Sequence, residues 1–232
     1  LDHRQVDHEQ IVQGMIRSIR YRGPDDYGVW SDNQSGVTLG HARLSILDLS
    51  PEGHQPMSSA SGRYVIVFNG EIYNFAELRS ELEIVGQKFR GHSDTEVMLA
   101  AFEEWGIEKA VSRFVGMFAF ALWDRADRVL TLARDRMGEK PLYYGWQGST
   151  FLFGSELKAL KAHPVFQGEI DRAALALMLR HNYIPAPYSI YKGISKLPPG
   201  SYLRLQMGKR EGKLERYWSA REAAERGQAN QF

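Results

Sequence analysis

The sequence contains no cysteine, and this absence excludes disulfides, thiolate metal sites and a cysteine nucleophile in the chain as written. An excess of charge is lacking too. The 29 basic and 28 acidic residues leave a net charge of +1, so neither a nucleic-acid nor a membrane partner is indicated. There is no apolar run long enough to span a bilayer and no signal-peptide pattern. We therefore predict a cytoplasmic protein.

Several common reaction signatures are also absent. The chain has no Gly-rich phosphate loop, no H-E-x-x-H and no G-x-S-x-G, and its seven histidines lack the spacing of metal ligands. Neither a metal nor a nucleotide cofactor is therefore predicted for this chain. What is present is an ordinary globular composition, 43% hydrophobic and 25% charged over 232 residues, which is enough to bury a substantial core.

The stretch V-I-V-F-N-G-E-I-Y-N at 65–74 raises the first structural question. Its apolar half predicts a buried strand, and an Asn-Gly pair after such a run is the strongest short-range signal for a hairpin turn. The residues that follow favour a helix instead, with Asn74 as its cap and Gly86 as its stop. We therefore predict that Asn69 and Gly70 lie in a loop between a strand and a helix.

Helix signals recur along the chain. Apolar residues at helical spacing predict a helix over 9–21, and Ser93-Asp94-Thr95-Glu96 has the pattern of a capping box. A short helix is expected over 107–114, another beginning at Ser155, and a third from Asp171 to His181.

From Gly116 the pattern changes to short apolar runs joined by short polar connections. Such connections require antiparallel neighbours, because a parallel crossover needs a dozen or more residues. The run 117–123 is apolar on both of its faces, which predicts that the sheet is covered on both sides. We therefore predict an α+β fold, a four-layer α/β/β/α sandwich of two antiparallel sheets between helices. A final hairpin is expected over 201–218, followed by a polar tail that is a linker or frayed end.

Four polar segments remain: Y-R-G-P-D-D at 21–26, H-A-R-L-S-I-L-D at 41–48, F-N-G-E-I-Y-N at 68–74 and G-H-S-D-T-E at 91–96. Each has a local explanation when it is taken alone. Arg43 fits a surface ion pair of little energetic value, and Asp94 fits a first-turn carboxylate that complements the helix dipole.

Together, and in this order, the segments resemble the glutaminase domain of asparagine synthetases. This is a class II glutamine amidotransferase domain with the N-terminal nucleophile hydrolase fold. The resemblance runs from about Met15 to Trp218. The further segments that carry it are G-M-F-A-F-A-L-W-D, A-R-D-R-x-G-x-K-P-L-Y-Y and S-E-L-K-A-L.

The resemblance implies a thiolate that attacks the side-chain amide of L-glutamine, with the chain's own α-amino group as base. It assigns the oxyanion to the Asn69 amide and the Gly70 N–H. It assigns the α-carboxylate of glutamine to Arg43, whose planar guanidinium suits that group. Asp94, helped by Glu71, is the expected acceptor for the α-ammonium. The backbone of Leu44, Ser45, Ile46 and Leu47 is expected to line the same pocket.

The chain departs from the family at its beginning. The family's nucleophile is a cysteine that leads into a short strand, expected just upstream of Leu1. The three alternatives are truncation of the chain, a segment left out of the sequence as written, and natural absence of the nucleophile. Tyr21 stands where relatives often have His and carries no functional prediction. We predict a glutaminase domain over 1–218 and a linker over 219–232. That linker leads toward a C-terminal ATP-dependent synthetase domain, where ATP and Mg²⁺ are expected.

Two functions follow from these expectations. The first is hydrolysis of glutamine to glutamate and ammonia, which supplies the amidation of aspartate or of a related carboxylic acid. The second is a catalytically dead module that retains the glutamine pocket for binding or assembly. The sequence does not decide the ammonia acceptor, or whether the protein forms a homodimer.

Overall fold

The structure, a computed structural model, describes residues 7–46 and 50–229. These residues form seven α-helices and eleven strands, with short 3-10 helices at Arg20–Arg22 and Pro51–Gly53. The helices are α1 (His8–Ser18), α2 (Phe75–Ile84), α3 (Asp94–Trp105), α4 (Ile107–Arg113), α5 (Leu157–Lys161), α6 (Arg172–His181) and α7 (Ala220–Ala229). The strands are β1 (Asp26–Asp32), β2 (Val37–Arg43), β3 (Met57–Ser58), β4 (Tyr64–Ile72), β5 (Gly116–Asp124), β6 (Val129–Arg134), β7 (Tyr143–Gln147), β8 (Thr150–Gly154), β9 (Ile194–Lys196), β10 (Ser201–Gln206) and β11 (Lys213–Arg216).

The described residues divide into two compact units. The first unit contains residues 7–46, 54–56 and 143–196, and it carries the β1–β2 hairpin and a three-stranded sheet of order β8-β7-β9. The second unit contains the remaining described residues, and it carries a six-stranded sheet of order β11-β10-β6-β5-β4-β3. Every pair of neighbouring strands is antiparallel, as the short connections predicted.

The hydrophobic core of the second unit lies between its sheet and helices α2, α3 and α4. Alternate residues of β4, among them Ile66 and Phe68, enter this cluster because successive side chains of a strand point to opposite faces. Phe102 of α3 lies at its centre, 5.7 Å from the Phe114 ring and 5.4 Å from the Phe120 ring. Each fully buried side chain of this size contributes ~1.5–3 kcal/mol.

In the first unit, two helices pack closely over glycines. A methyl group added at Gly40 of β2 would lie 2.4 Å from Val12 Cγ1 of α1, and one at Gly154 of β8 would lie 2.9 Å from Leu160 Cδ1 of α5. Met15 of α1 also packs on the apolar cluster of β8 and α5. Helix α1 therefore packs both on β2 and on the cluster that covers β8.

The turn after β6 is organised by one fully buried carboxylate, Asp135. Its oxygens accept four backbone N–H groups at 2.9–3.2 Å, those of Phe118, Met137, Glu139 and Lys140. The neighbouring Arg134 guanidinium donates to the carbonyls of Lys140, Leu197 and Gly138. Arg134 and Asp135 of the A-R-D segment therefore have a structural role, since their side chains hold the backbone of this turn.

Several predicted elements are confirmed. Ser93 caps α3 by accepting the Glu96 N–H at 3.3 Å, and Asp171 caps α6 by accepting the N–H groups of Ala173 and Ala174. The helix expected over 9–21 is α1 followed by a 3-10 turn.

Three local predictions are wrong, the first of them in part. Asn74 is the N-cap residue of α2 as predicted, but its side chain does not make the expected capping hydrogen bond, because it bridges to the Arg113 carbonyl and the Val115 N–H instead. Helix α5 has Glu156 rather than Ser155 as its N-cap residue. Strands β6 and β7 do not pair despite their short connection, because the turn built on Asp135 sends the chain into the other unit's sheet.

The tail predicted as a linker or frayed end contains α7, in which no side chain is buried. Among the helices of residues 7–46 and 50–229, none combines the length and the apolar character needed to cross a membrane.

Thr131 offers a test of the packing. Its hydroxyl is buried and has no hydrogen-bond partner among the described residues, and the side chain is 1% exposed. Because valine has the same shape without the hydroxyl, we expect Thr131→Val to raise the free energy of unfolding by about 1 kcal/mol in urea denaturation. Thr38→Val is the control, since it loses a bond to Ser31 and should not stabilise. A Thr131→Val protein no more stable than the parent would contradict this expectation.

Candidate active site

The register of β4 against β5 decides which backbone groups of β4 are free to meet a ligand. The Tyr73 N–H donates to the Val115 carbonyl, so the odd-numbered residues of β4 direct their backbone groups toward β5. On the other edge, the Ser59 N–H donates to the Tyr64 carbonyl, so the even-numbered residues direct theirs toward β3. Gly70 and Ile72 therefore point their N–H groups away from β5.

Strand β3 has two residues and pairs only with Val65 and Ile66. Beyond that point the edge of β4 has no neighbouring strand among the described residues. The Ile72 N–H on this edge donates to Asp94 Oδ2 at 2.9 Å. The Gly70 N–H lies on the same edge, two residues earlier.

The prediction that Asn69 and Gly70 occupy a strand-to-helix loop is wrong. Both lie within β4, with Asn69 opposite Ala119 and Gly70 opposite Phe118 of β5. A Cβ atom at Gly70 would lie 2.1 Å from the Met117 oxygen. Glycine is needed because the two strands approach closely here, whereas the Asn-Gly turn signal reports only local preference.

The Asn69 side chain is an unpaired donor. It projects to the face of the sheet opposite the α2–α4 core, since side chains alternate along β4. Its Nδ2 atom is buried and has no hydrogen-bond partner within the described part of the chain. An unsatisfied buried donor costs ~1–3 kcal/mol, and such a group in a native structure calls for a functional explanation.

Asp94 is a buried carboxylate that contacts β4, the strand that carries Asn69. It lies 5% exposed in the first turn of α3, and burial raises the pKa of its carboxyl. The N–H groups of Ile72 and Thr95 lower the pKa in part, while the nearby Glu71 carboxylate raises it further. A positive group placed here would relieve both the desolvation and the repulsion.

The residues of the R-L-S-I segment lie in the first unit. Arg43 ends β2 opposite Asp26 of β1 and is 9% exposed. Leu44 and Ile46 are exposed and Ser45 is half-buried. Leu47 lies outside the described residues.

The R-G-P-D segment makes hydrogen bonds with the backbone of Arg43 and Ser45. Asp25 Oδ2 accepts the Ser45 N–H at 2.8 Å, and the Asp25 N–H donates to the Arg43 carbonyl at 3.1 Å. A Cβ atom at Gly23 would lie 2.3 Å from the Ala42 carbonyl carbon, so only glycine permits this approach. The sequence analysis assigned no role to these residues.

The structure thus groups the predicted site residues into two sets. Asn69, Gly70, Glu71 and Asp94 are brought together in the second unit, at the open edge of β4 and the start of α3. Arg43 to Ile46 form the other set, at the end of β2 in the first unit. Within the described ranges, no group of three or more His, Cys, Asp or Glu side chains has an arrangement that could hold a metal ion.

Glu156, from the S-E-L-K segment, is a further residue that the sequence analysis left without a role. It accepts hydrogen bonds from the Tyr21 hydroxyl and from Arg22 Nη1, the latter at 2.8 Å. Burial alone would raise its pKa, but these two donors and the Arg22 charge hold the pKa of Glu156 below its ordinary value. The available sequence signal for this contact was the basic residue of the R-G-P-D segment and the acidic residue of the S-E-L-K segment.

Comparison with known proteins shows the family of the chain. Residues 2–218 match the family described as the glutamine amidotransferase domain, and the chain belongs to that family. It is 40% identical over 218 residues to asparagine synthetase [glutamine-hydrolyzing] 3 of Bacillus subtilis, covering 92% of this chain and 34% of that protein. It is 37% identical to putative asparagine synthetase [glutamine-hydrolyzing] 2 of Methanocaldococcus jannaschii, covering 90% and 44%. The chain therefore spans less than half the length of these relatives.

A solved structure supports the fold. The glutamine phosphoribosylpyrophosphate amidotransferase of B. subtilis superposes with a TM-score of 0.66 at 20% identity, covering 90% of this chain and 47% of that one. The predicted fold class, that of the N-terminal nucleophile hydrolases with antiparallel sheets and helices, is confirmed.

Asp94 makes a prediction about stability and pH. Because its folded pKa is raised above the unfolded value, the ionised carboxylate destabilises the fold at pH values above that raised pKa. The penalty disappears as the pH falls through it. We expect Asp94→Asn, which still offers an acceptor to Ile72, to melt at a higher temperature than the parent at pH 7.5.

The difference in melting temperature should shrink as the pH is lowered toward the ordinary carboxyl value of 3.8. Asp171→Asn is the matched control at the start of α6, since Asn is an equally good cap. A parent that melts above Asp94→Asn at pH 7.5 would contradict the expectation.

Proposed function

We propose that this chain is a glutamine-hydrolysing domain, which releases ammonia from the side-chain amide of L-glutamine. The observation that carries the proposal is the unpaired, buried Asn69 amide next to Gly70, whose N–H lies on the open edge of β4. Two donors fixed in advance, one of them an Asn69 Nδ2 atom without a partner among the described residues, suit an oxyanion that forms only during the reaction.

The substrate is bound through its charged ends. Arg43 takes the α-carboxylate of glutamine, because the guanidinium presents paired N–H donors to two oxygens. Asp94, with Glu71 nearby, takes the α-ammonium, which lowers the energetic penalty on the buried carboxylate. The backbone of Leu44, Ser45 and Ile46, which follow Arg43, is proposed to contact the same end of glutamine.

The nucleophile is a cysteine in a strand that precedes Leu1, and its thiolate attacks the amide carbon of glutamine. The carbonyl oxygen becomes an oxyanion held by the Asn69 amide and the Gly70 N–H. The nitrogen takes a proton from the ammonium form of the chain's α-amino group and leaves as ammonia, and the resulting thioester is cleaved by water to give glutamate.

The packing of the first unit supports the proposal of such a strand. Among the described strands, β2 pairs only with β1, and β8 pairs only with β7. Helix α1 packs on β2 and, through Met15, on the cluster of β8 and α5. Helix α1 covers β2, and helix α5, which packs beside α1, covers β8. Packed helices lie about 8–10 Å apart, which is twice the ~4.8 Å spacing of neighbouring strands, so β2 and β8 are expected to lie two strand spacings apart. We therefore place one extra strand between β2 and β8.

The experiment is to add a Met-Cys-Gly strand before Leu1 and to measure release of glutamate from L-glutamine. In that protein we expect Asn69→Ala to lower kcat by about 10²- to 10³-fold, because one oxyanion donor is removed. The control is Asn33→Ala, at an exposed position in the β1–β2 connection, which should leave kcat unchanged. A folded protein with the cysteine present and no glutaminase activity would contradict the proposal.

Arg43 provides a separate test through binding. We expect Arg43→Lys to weaken L-glutamine at least tenfold in calorimetry, because lysine keeps the charge but loses the planar fork. Arg204→Lys, at an exposed position of β10, is the matched control and should bind as the parent does. Equal affinity of Arg43→Lys and parent would remove Arg43 from the binding site.

A catalytically dead module of the same fold is the second candidate, because the residues proposed to bind glutamine are the same in both functions. Such a module would bind glutamine and depend on Arg43, yet it would remain inactive after the cysteine strand is restored. The two experiments together therefore distinguish the candidates.

The chain spans only part of its relatives, so the use of the ammonia is a proposal about a longer protein. We propose that residues 219–232 lead to a C-terminal synthetase domain that holds ATP and Mg²⁺. That domain would amidate aspartate or a related carboxylic acid. The relatives' names, asparagine synthetases that hydrolyse glutamine, support this assignment.

A further inference from the structure

We propose that Asp25 is a positioning residue that holds the backbone of Arg43 to Ser45 in the conformation that binds the α-carboxylate of glutamine. The inference rests on the proposed function. It gives a role to Asp25 of the R-G-P-D segment, which contacts the backbone of the residues proposed to bind glutamine.

The geometry of Asp25 supports this role. Its backbone N–H donates to the Arg43 carbonyl at 3.1 Å, next to the last β1–β2 pair, which is Asp26 with Arg43. Its carboxylate then reaches two residues further, to the Ser45 N–H at 2.8 Å. The β2 strand ends at Arg43, so the carboxylate takes over where the strand ladder stops.

Burial shows why such a restraint is needed. The side chains on either side of Ser45, Leu44 and Ile46, are 55% and 60% exposed. Apolar packing therefore does little to fix this part of the chain. A charge-assisted hydrogen bond that a backbone N–H donates to a carboxylate is roughly twice as strong as a neutral one, and it restrains the direction in which the chain leaves β2.

Asp25 is itself held in place. Gly23 packs directly on the Ala42–Arg43 peptide, at a distance that no other residue permits. The two residues before it are anchored to Glu156, which accepts hydrogen bonds from Tyr21 and Arg22. The R-G-P-D and S-E-L-K segments thus form one chain of contacts that ends at Ser45.

The test uses the full chain and two variants of Asp25. Asp25→Ala removes the carboxylate but keeps the backbone bond to Arg43, and because Asp25 is exposed its truncation leaves no cavity. We expect hydrogen exchange at the Ser45 amide to become at least tenfold faster. We also expect the affinity for L-glutamine in calorimetry to fall at least tenfold, with a melting temperature within a few degrees of the parent.

The second variant, Asp25→Asn, keeps an oxygen that accepts the Ser45 N–H. It should retain slow exchange at Ser45 and bind glutamine within about threefold of the parent. A merely structural role of Asp25 would not produce this rescue together with an unchanged melting temperature.

Asp32→Ala is the matched control. Asp32 lies at the other end of β1 and also accepts a backbone N–H, that of Ser35 at 3.1 Å. Its replacement should change neither exchange at Ser45 nor the affinity for glutamine.

Two results would overturn the assignment while the proposed function stands: a parent and an Asp25→Ala protein that bind glutamine equally well, or exchange at Ser45 that is equal in both. A parent chain that binds no glutamine would overturn the proposed function as well, and it differs from the first two results because the parent itself fails.

Discussion

The pairing of β4 with β5 is the constraint on which the candidate site depends. It commits the odd-numbered backbone groups of β4 to the sheet, so that the even-numbered ones face the other edge. Because β3 ends after two residues, no described strand pairs with that edge at Gly70 and Ile72, and the Ile72 N–H donates to Asp94 instead. The same alternation sends the Asn69 side chain away from the core. One register thus delivers a side-chain donor and a backbone donor to neighbouring positions.

These positions carry a cost that the rest of the second unit has to offset. Asn69 is a buried donor without a described partner, and Asp94 is a buried carboxylate whose raised pKa reflects an unfavourable charge. Two features of the second unit offset this free-energy cost. The aromatic cluster around Phe102 buries apolar surface. The Asp135 carboxylate accepts hydrogen bonds from four backbone N–H groups. The polar groups suited to a ligand are therefore held in a unit whose apolar core and buried turn are stabilised by other contacts.

Local chemistry predicted the elements whose determinants lie within a few residues. The caps at Ser93 and Asp171 and the helices they begin are of this kind. Asn69 and Gly70 were placed in a loop because their turn preference is local, whereas their strand conformation comes from β5, more than forty residues later in the chain. The separation of β6 from β7 likewise depends on a turn in which Asp135 binds three local N–H groups and also the N–H of Phe118 on β5, 17 residues earlier. The site residues were found through the resemblance, and the residues that hold them, such as Asp25, emerged only from the contacts.

The two edges of the six-stranded sheet have a further consequence, for self-association. An exposed strand edge invites pairing with another chain. At one edge, β11 places Lys213 and Arg216 in solvent, and charges of this kind discourage such pairing. At the other edge, the Ile72 N–H, which an incoming strand would need as a donor, already donates to the Asp94 carboxylate. The group that prepares β4 for a small ligand therefore also denies that edge to a second polypeptide, and it protects the sheet from aggregation.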